Sequence, residues 1–196
     1  AYHRVLKRLG LLDMRGMTFV AKTMTLDQNA GNMRVQNDGI TPRELRPACV
    51  HVTPGSWWRG HALNKVGLTN PGAQALLRRD IWQQRTAPFV LSFMQIASDP
   101  DPKRELALKL EELQMFVRLL RDARRDFCAP LALQINFSCP NTGPHAKQTP
   151  TFIHDSLDIA STIDIPIIPK LAVDTLVIDA LAIAEQLLDL DPRQLD

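Results

Sequence analysis

The sequence predicts an α/β protein built on a parallel sheet, and three observations lead there. Strand-like and helix-like segments alternate along the chain. The strands are nearly continuous apolar runs, the pattern of parallel strands buried on both faces. Two helix starts carry a cap residue followed by proline, Asn70-Pro71 and Asp101-Pro102.

Residues 4–12 have helical spacing and end near Gly10. Residues 17–25 (MTFVAKTMT) are rich in apolar and β-branched types and give the first strand. Residues 26–69 form an irregular stretch holding Asn29, Asn32, Asn37, Gly31, Gly39, Pro42, Pro47, Pro54 and Gly55. So long a stretch without regular structure is uncommon in a compact domain and often functional. It leaves room for a short hairpin whose place the pattern does not fix. From Asn70 a helix is expected to about Arg85, and residues 88–94 give the second strand. From Asp101 a long helix runs to about Asp126, with Leu106, Leu110, Leu113, Phe116, Val117 and Leu120 recurring at three and four. Residues 131–137 give the third strand, 138–150 a polar loop, 151–162 a helix, 165–171 the fourth strand and 175–190 a last helix.

Polar residues collect where these strands end. Lys22 and Thr23 close the first, Ser92 and Gln95 the second, Asn136, Ser138 and Cys139 the third, and Lys170 the fourth. Reactive side chains at the C-terminal ends of successive strands suit a (β/α)8 TIM barrel. An open doubly wound sheet gathers its ligand at one switch point. No G-x-G-x-x-G or Walker sequence follows any strand. A whole barrel takes about 250 residues and eight strands. The expectation is therefore about half a barrel, roughly strands 2–5 with their helices. Residues 1–196 then form one partial domain, lacking a strand before residue 1 and several after Asp196.

Composition narrows the function. The chain has 196 residues, 45% hydrophobic and 22% charged, with a net charge of +2, which excludes a disordered chain. No apolar run approaches the roughly 18–20 residues of a membrane span. The near-balanced charge gives no footprint for nucleic acid. Arg118, Arg121, Arg124 and Arg125, interleaved with Asp122 and Asp126, read as a solvated helix face. Cys49, Cys128 and Cys139 are odd in number and form no C-x-x-C pair, so neither a zinc site nor a disulfide framework is expected. A reducing cytoplasm fits, and no signal peptide is seen.

The segment Gln134 to Gly143 (QINFSCPNTG) carries the most chemistry. A cysteine just past a strand, flanked by Asn136 and Asn141, suits a thiolate that takes a proton or attacks a ligand. It also suits an inert cysteine buried in a turn.

NFSCPNTG (136–143) resembles the signature of the class 1 dihydroorotate dehydrogenases and of the related flavin domain of dihydropyrimidine dehydrogenase. AKTMTLDQNAGN (21–32), LNKVGLTNPG (63–72) and IPKLAVD (168–174) are similar to three further segments of that family, in the family's order. The resemblance covers about residues 15–190. It implies a (β/α)8 barrel carrying FMN at its C-terminal mouth and the oxidation of dihydroorotate to orotate in pyrimidine synthesis. Cys139 is then the base that removes the C5 proton. Lys22 contacts flavin and substrate, and Thr23 contacts the flavin. Asn64, Val66, Gly67 and Leu68 form the substrate loop. Asn136 is shared by substrate and flavin, Asn141 is a further substrate amide, and Lys170 lies at the flavin ring. Asparagine amides, each both donor and acceptor, suit the edge of the orotate ring. Fixed lysine charge suits a reduced, anionic flavin and lowers a neighbouring thiol's pKa.

The sequence departs from the family at several points. Gln134 stands where a carboxylate is common, and Met33 where proline follows Gly-Asn. The loop TGPHAKQTP (142–150), with His145 and Lys147 expected to be exposed, and the 40–60 insertion with Trp57 and Trp58 are unfamiliar. The phosphate-binding glycine loops would follow Asp196, so residues 1–196 alone are expected to hold FMN weakly. The acceptor, fumarate or NAD, stays open, as does the choice between a homodimer and an electron-transfer partner subunit. Two alternatives remain: a dihydropyrimidine dehydrogenase-like reductase of uracil-type bases, and a non-catalytic barrel fragment.

Overall fold

The computed structural model describes residues 8–10, 16–53, 61–138, 149–171 and 181. Most of the helices expected at 4–12 and 175–190 lies outside those residues. So do Trp57, Trp58, Cys139, Asn141, His145 and Lys147. In chain order the elements are β1 (Phe19–Val20), β2 (Val50–Thr53), β3 (His61–Asn64), α1 (Ala73–Leu77), α2 (Asp80–Gln83), β4 (Phe89–Phe93), α3 (Pro102–Ala123), β5 (Leu131–Asn136), α4 (Pro150–Ser161) and β6 (Ile167–Lys170). The chain is a mixed α/β fold, as its pattern predicts. β1, β4, β5 and β6 form a four-stranded parallel sheet in chain order, with no reversal. β2 and β3 pair antiparallel and supply the hairpin inside the long irregular stretch.

The sheet has two unlike faces because side chains alternate along each strand. Leu91, Phe93, Leu133 and Ile135 share one face and are fully buried. They join one core with Leu113, Phe116, Val117 and Leu120 of α3 and Phe152, Ile153, Leu157 and Ala160 of α4. The ring of Phe93 stacks on Phe116 at 3.9 Å between centroids. The other face carries Ser92, Gln134 and Ile168 in one register row and Asn136 and Lys170 in the next. There Val20 is 49% exposed and Ile168 39%. The continuous apolar runs suggested burial on both faces. Among the described residues, helices cover one.

Both long helices start as their sequences dictate. The Asp101 carboxylate accepts from the Lys103 N–H at 3.0 Å, and Pro102 follows it. The Thr149 hydroxyl does the same for Phe152 at 3.2 Å, ahead of Pro150. Within α3, Glu105 and Lys109 are buried and paired at 2.5 Å, one turn apart. Two of the arginines expected to face solvent have protein partners. Arg121 donates to the Thr162 carbonyl at 2.9 Å, and Arg124 to those of Ile163 and Asp164. They satisfy carbonyls that the end of α4 leaves open.

The helix expected from Asn70 to Arg85 is instead two short ones. Asn70 is no helix cap: it is buried, and its Oδ1 accepts from the Gly72 N–H at 2.9 Å. Gly72 at φ 91° begins the turn, and Arg79 in an extended conformation separates α1 from α2. The Trp82 indole N–H then takes the Leu76 carbonyl at 2.6 Å. Among the described residues no helix is long and apolar enough to cross a membrane.

The Phe93–Phe116 stack closes the core between sheet and helix. Replacing Phe116 by alanine is expected to cost about 3–5 kcal/mol. Denaturant unfolding should show the midpoint falling with its slope unchanged.

Candidate functional site

The expected first strand, 17–25, pairs as β1 and then only at the isolated Met24–Phe93 bridge. The Ala21 N–H bonds the Val90 carbonyl at 2.8 Å, and the Met24 N–H bonds that of Ser92 at 2.9 Å. Three residues on one strand therefore match two on the other. This one-residue excess is a bulge, a device that re-aims side chains at strand ends. Ala21 and Met24 both reach the helix-covered core. Lys22 and Thr23, between them, are left on the polar side.

Four strand ends are joined there by one run of hydrogen bonds. Lys170 Nζ donates to Asn136 Oδ1 at 3.3 Å, and Asn136 Nδ2 donates to Thr23 Oγ1 at 3.3 Å. The Thr23 and Ser92 hydroxyls are 2.9 Å apart, and Ser92 donates to Gln134 Oε1 at 3.0 Å. Since the Ser92 proton goes to Gln134, the Thr23 proton goes to Ser92, and the run has a single direction. The Ser138 N–H fixes Asn136 from beyond the strand at 3.1 Å. Gln134 is thus the terminal acceptor. Gln95, expected at this mouth, is instead buried and directed to Ser156 of α4 at 3.4 Å. Its odd register relative to Ser92 puts it on the core side.

Beside this row lies a cleft of about 370 Å³ lined by Lys22, Thr23, Met33, Asn64, Val66, Gly67 and Leu68. Lys22 is exposed as a residue, yet its amine is drawn in to donate to the Thr69 carbonyl at 2.6 Å. Burial lowers its pKa from the ordinary lysine value, and Cys49 opposes that shift. Gly67 and Leu68 are both left-handed, at φ 65° and 57°. Among the described residues, no acceptor meets the N–H groups of Val66, Gly67 or Leu68. Successive free amides in such backbone form a concavity for an anion.

Of the residues singled out by sequence, Lys22, Thr23, Asn64, Val66, Gly67 and Leu68 meet in the cleft. Asn136 and Lys170 reach it through Thr23. Cys139 and Asn141 lie outside the described residues. Met33, singled out only for replacing a proline, is a wall of the cleft. Its adjacency to Gly31-Asn32 was the available signal. Among the described residues no cluster of His, Cys, Asp and Glu could hold a metal. Compared with known proteins, the chain matches no family model and no curated protein.

The loop leaving β4 is held by Glu112 of α3, whose Oε2 accepts from the Ile96 and Ala97 N–H groups at 2.8 Å each. Burial raises the Glu112 pKa, and Asp27 adds to this. The two N–H bonds and Lys109 act the other way. The folded protein therefore holds this proton more tightly than the unfolded chain. The group's contribution to stability falls as pH rises from the ordinary glutamate range through the raised value. Glu112→Gln keeps an acceptor for both N–H groups and carries no charge. Its stability relative to wild type is expected to improve as pH rises through that window. Unfolding curves at a series of pH values check this, and a difference independent of pH would contradict it.

Proposed function

We propose that this chain is part of a cytoplasmic (β/α)8 barrel that binds FMN and oxidises dihydroorotate to orotate. The barrel is supported by the chain-order parallel sheet, helices on one face, and polar strand ends on the other. An open doubly wound sheet has a reversal of strand order and helices on both faces. The observation that carries the function is the cleft itself. It unites Lys22 with three backbone N–H groups that meet no acceptor among the described residues, at the edge of a row of amides and hydroxyls. That is a site for a planar ring bearing a carboxylate. Uracil-type bases have the ring without the carboxylate, so this anion site favours dihydroorotate over them.

The residues also fit a flavin. Lys170 and Asn136 at the ends of β6 and β5, and Thr23 just past β1, linked in turn at 3.3 Å, offer a cation, an amide and a hydroxyl to the polar edge of its ring. FMN, when bound, supplies the acceptor for the hydride leaving C6 of dihydroorotate. The chain's own residues do the rest. Lys22 and the N–H groups of Val66, Gly67 and Leu68 hold the substrate carboxylate. Asn64, Asn136 and Asn141 read the ring edge. Cys139 takes the C5 proton onto its sulfur, and Lys170 sets positive charge beside the flavin site. With Lys170 donating to it, Asn136 keeps one orientation, so its amide reads the ring in a single sense.

With FMN bound and oxygen excluded, dihydroorotate is expected to bleach the flavin absorbance. Cys139→Ala should slow that bleaching by about a hundredfold or more, the usual scale for loss of a general base. A flavin-loaded protein that keeps its colour with dihydroorotate would overturn the proposal.

A further inference from the structure

Every peptide carbonyl from Lys65 to Leu68 is occupied on one side of the loop. Asn32 Nδ2 donates to the Lys65 carbonyl at 2.8 Å, and the Asn32 N–H donates to that of Val66 at 2.9 Å. Thr69 Oγ1 adds a second donor to the Val66 carbonyl at 3.0 Å. Asn29 Nδ2 bonds the Gly67 carbonyl at 2.9 Å and the Leu68 carbonyl at 3.4 Å. Asn70 Nδ2 holds the Leu68 carbonyl from its other side at 2.6 Å. Gly31 lets the two segments approach this closely. A Cβ there would stand 2.2 Å from Thr69 Oγ1 and 2.5 Å from the Val66 carbonyl.

In a trans peptide the N–H points opposite to the C=O, and no described peptide here is cis. Fixing the carbonyls of Lys65, Val66 and Gly67 towards residues 29–32 therefore fixes the N–H groups of Val66, Gly67 and Leu68 the other way. The geometry is uphill for the chain alone, since Leu68 is a branched residue at positive φ. It lasts only while something holds the carbonyls.

We infer that Asn29 and Asn32 are positioning residues that aim the backbone N–H groups of Val66–Leu68 at the substrate's carboxylate. Neither needs to touch the ligand. The inference rests on the function proposed above, because it takes the anion to be the carboxylate of dihydroorotate or orotate. It makes the 29–32 segment a determinant of specificity for an acidic ring over a neutral one.

The test compares Asn29→Ala and Asn32→Ala with wild type by calorimetric titration of orotate and of uracil, the same ring without the carboxylate. The Asn32 side chain is exposed, so its variant should fold even if the Asn29 variant does not. Orotate binding is expected to weaken about tenfold in each folded variant, the scale of a lost hydrogen bond to a charged group. Uracil binding should change less than about twofold, since the neutral ring gains nothing from that charge. Unchanged orotate affinity, or equal losses for both ligands, would overturn the inference. If wild type binds no orotate, the proposed function falls instead. The positioning role is then judged from the amide resonances of Val66 and Leu68, the N–H groups that the Asn32 and Asn29 side chains respectively aim. Asn32→Ala must move the first and Asn29→Ala the second while leaving β4 and β5 in place, and unmoved resonances overturn it.

Discussion

The rest of the molecule depends on packing parallel strands against helices from one side. Leu91, Phe93, Leu133 and Ile135 are drawn out of water onto α3 and α4, and Phe93 lies flat on Phe116. Once these side chains are committed, strand alternation sends Ser92, Gln134 and Asn136 to the opposite face. The polar row is thus a product of the core. Its members need no apolar neighbours of their own, because they satisfy one another.

Two kinds of order meet at the cleft. The strand ends supply side chains whose protons run in one sense, from Lys170 through Asn136, Thr23 and Ser92 to Gln134. The loop from Lys65 to Leu68 supplies backbone, with its carbonyls engaged and the N–H groups of Val66, Gly67 and Leu68 meeting no acceptor among the described residues. The first is rigid because the sheet is rigid. The second is rigid because a neighbouring loop restrains it. Lys22 joins them, anchored on the strand and bonded to the Thr69 carbonyl.

The strands and long helices were legible because their signals are local. Asp101-Pro102 and the three-and-four spacing after it mark α3 closely, and the apolar runs mark β4, β5 and β6. The Asn70-Pro71 signal misled because Asn70 turns inward to Thr25 and Gly72, a contact made across 45 residues. The arginine face is exposed at Arg118, Arg121 and Arg125 as its charge pattern suggests, but the pattern could not show that Arg121 and Arg124 also bond carbonyls just past α4, about 40 residues away. Lys22, Asn136 and Lys170 could be picked out from their strand ends, whereas the roles of Asn29 and Asn32 could not. An asparagine in an irregular stretch looks the same whether it faces water or restrains another loop. Burial on both sheet faces holds for β4, buried at every residue, but was over-read from runs such as IPIIPKL (165–171), where Ile168 is 39% exposed.

The extra residue between Ala21 and Met24 sets how this strand end can vary. The positions on either side share the parity of the core and change only with it. Lys22 and Thr23 are released from that parity, so other side chains can be tried there without repacking any helix. Loss of one residue would restore strict alternation with Ala21 and Met24 still inward, but it would leave a single residue between them on the polar side. Chemistry at this corner is therefore open to substitution, whereas a one-residue deletion would cost one of its two polar side chains.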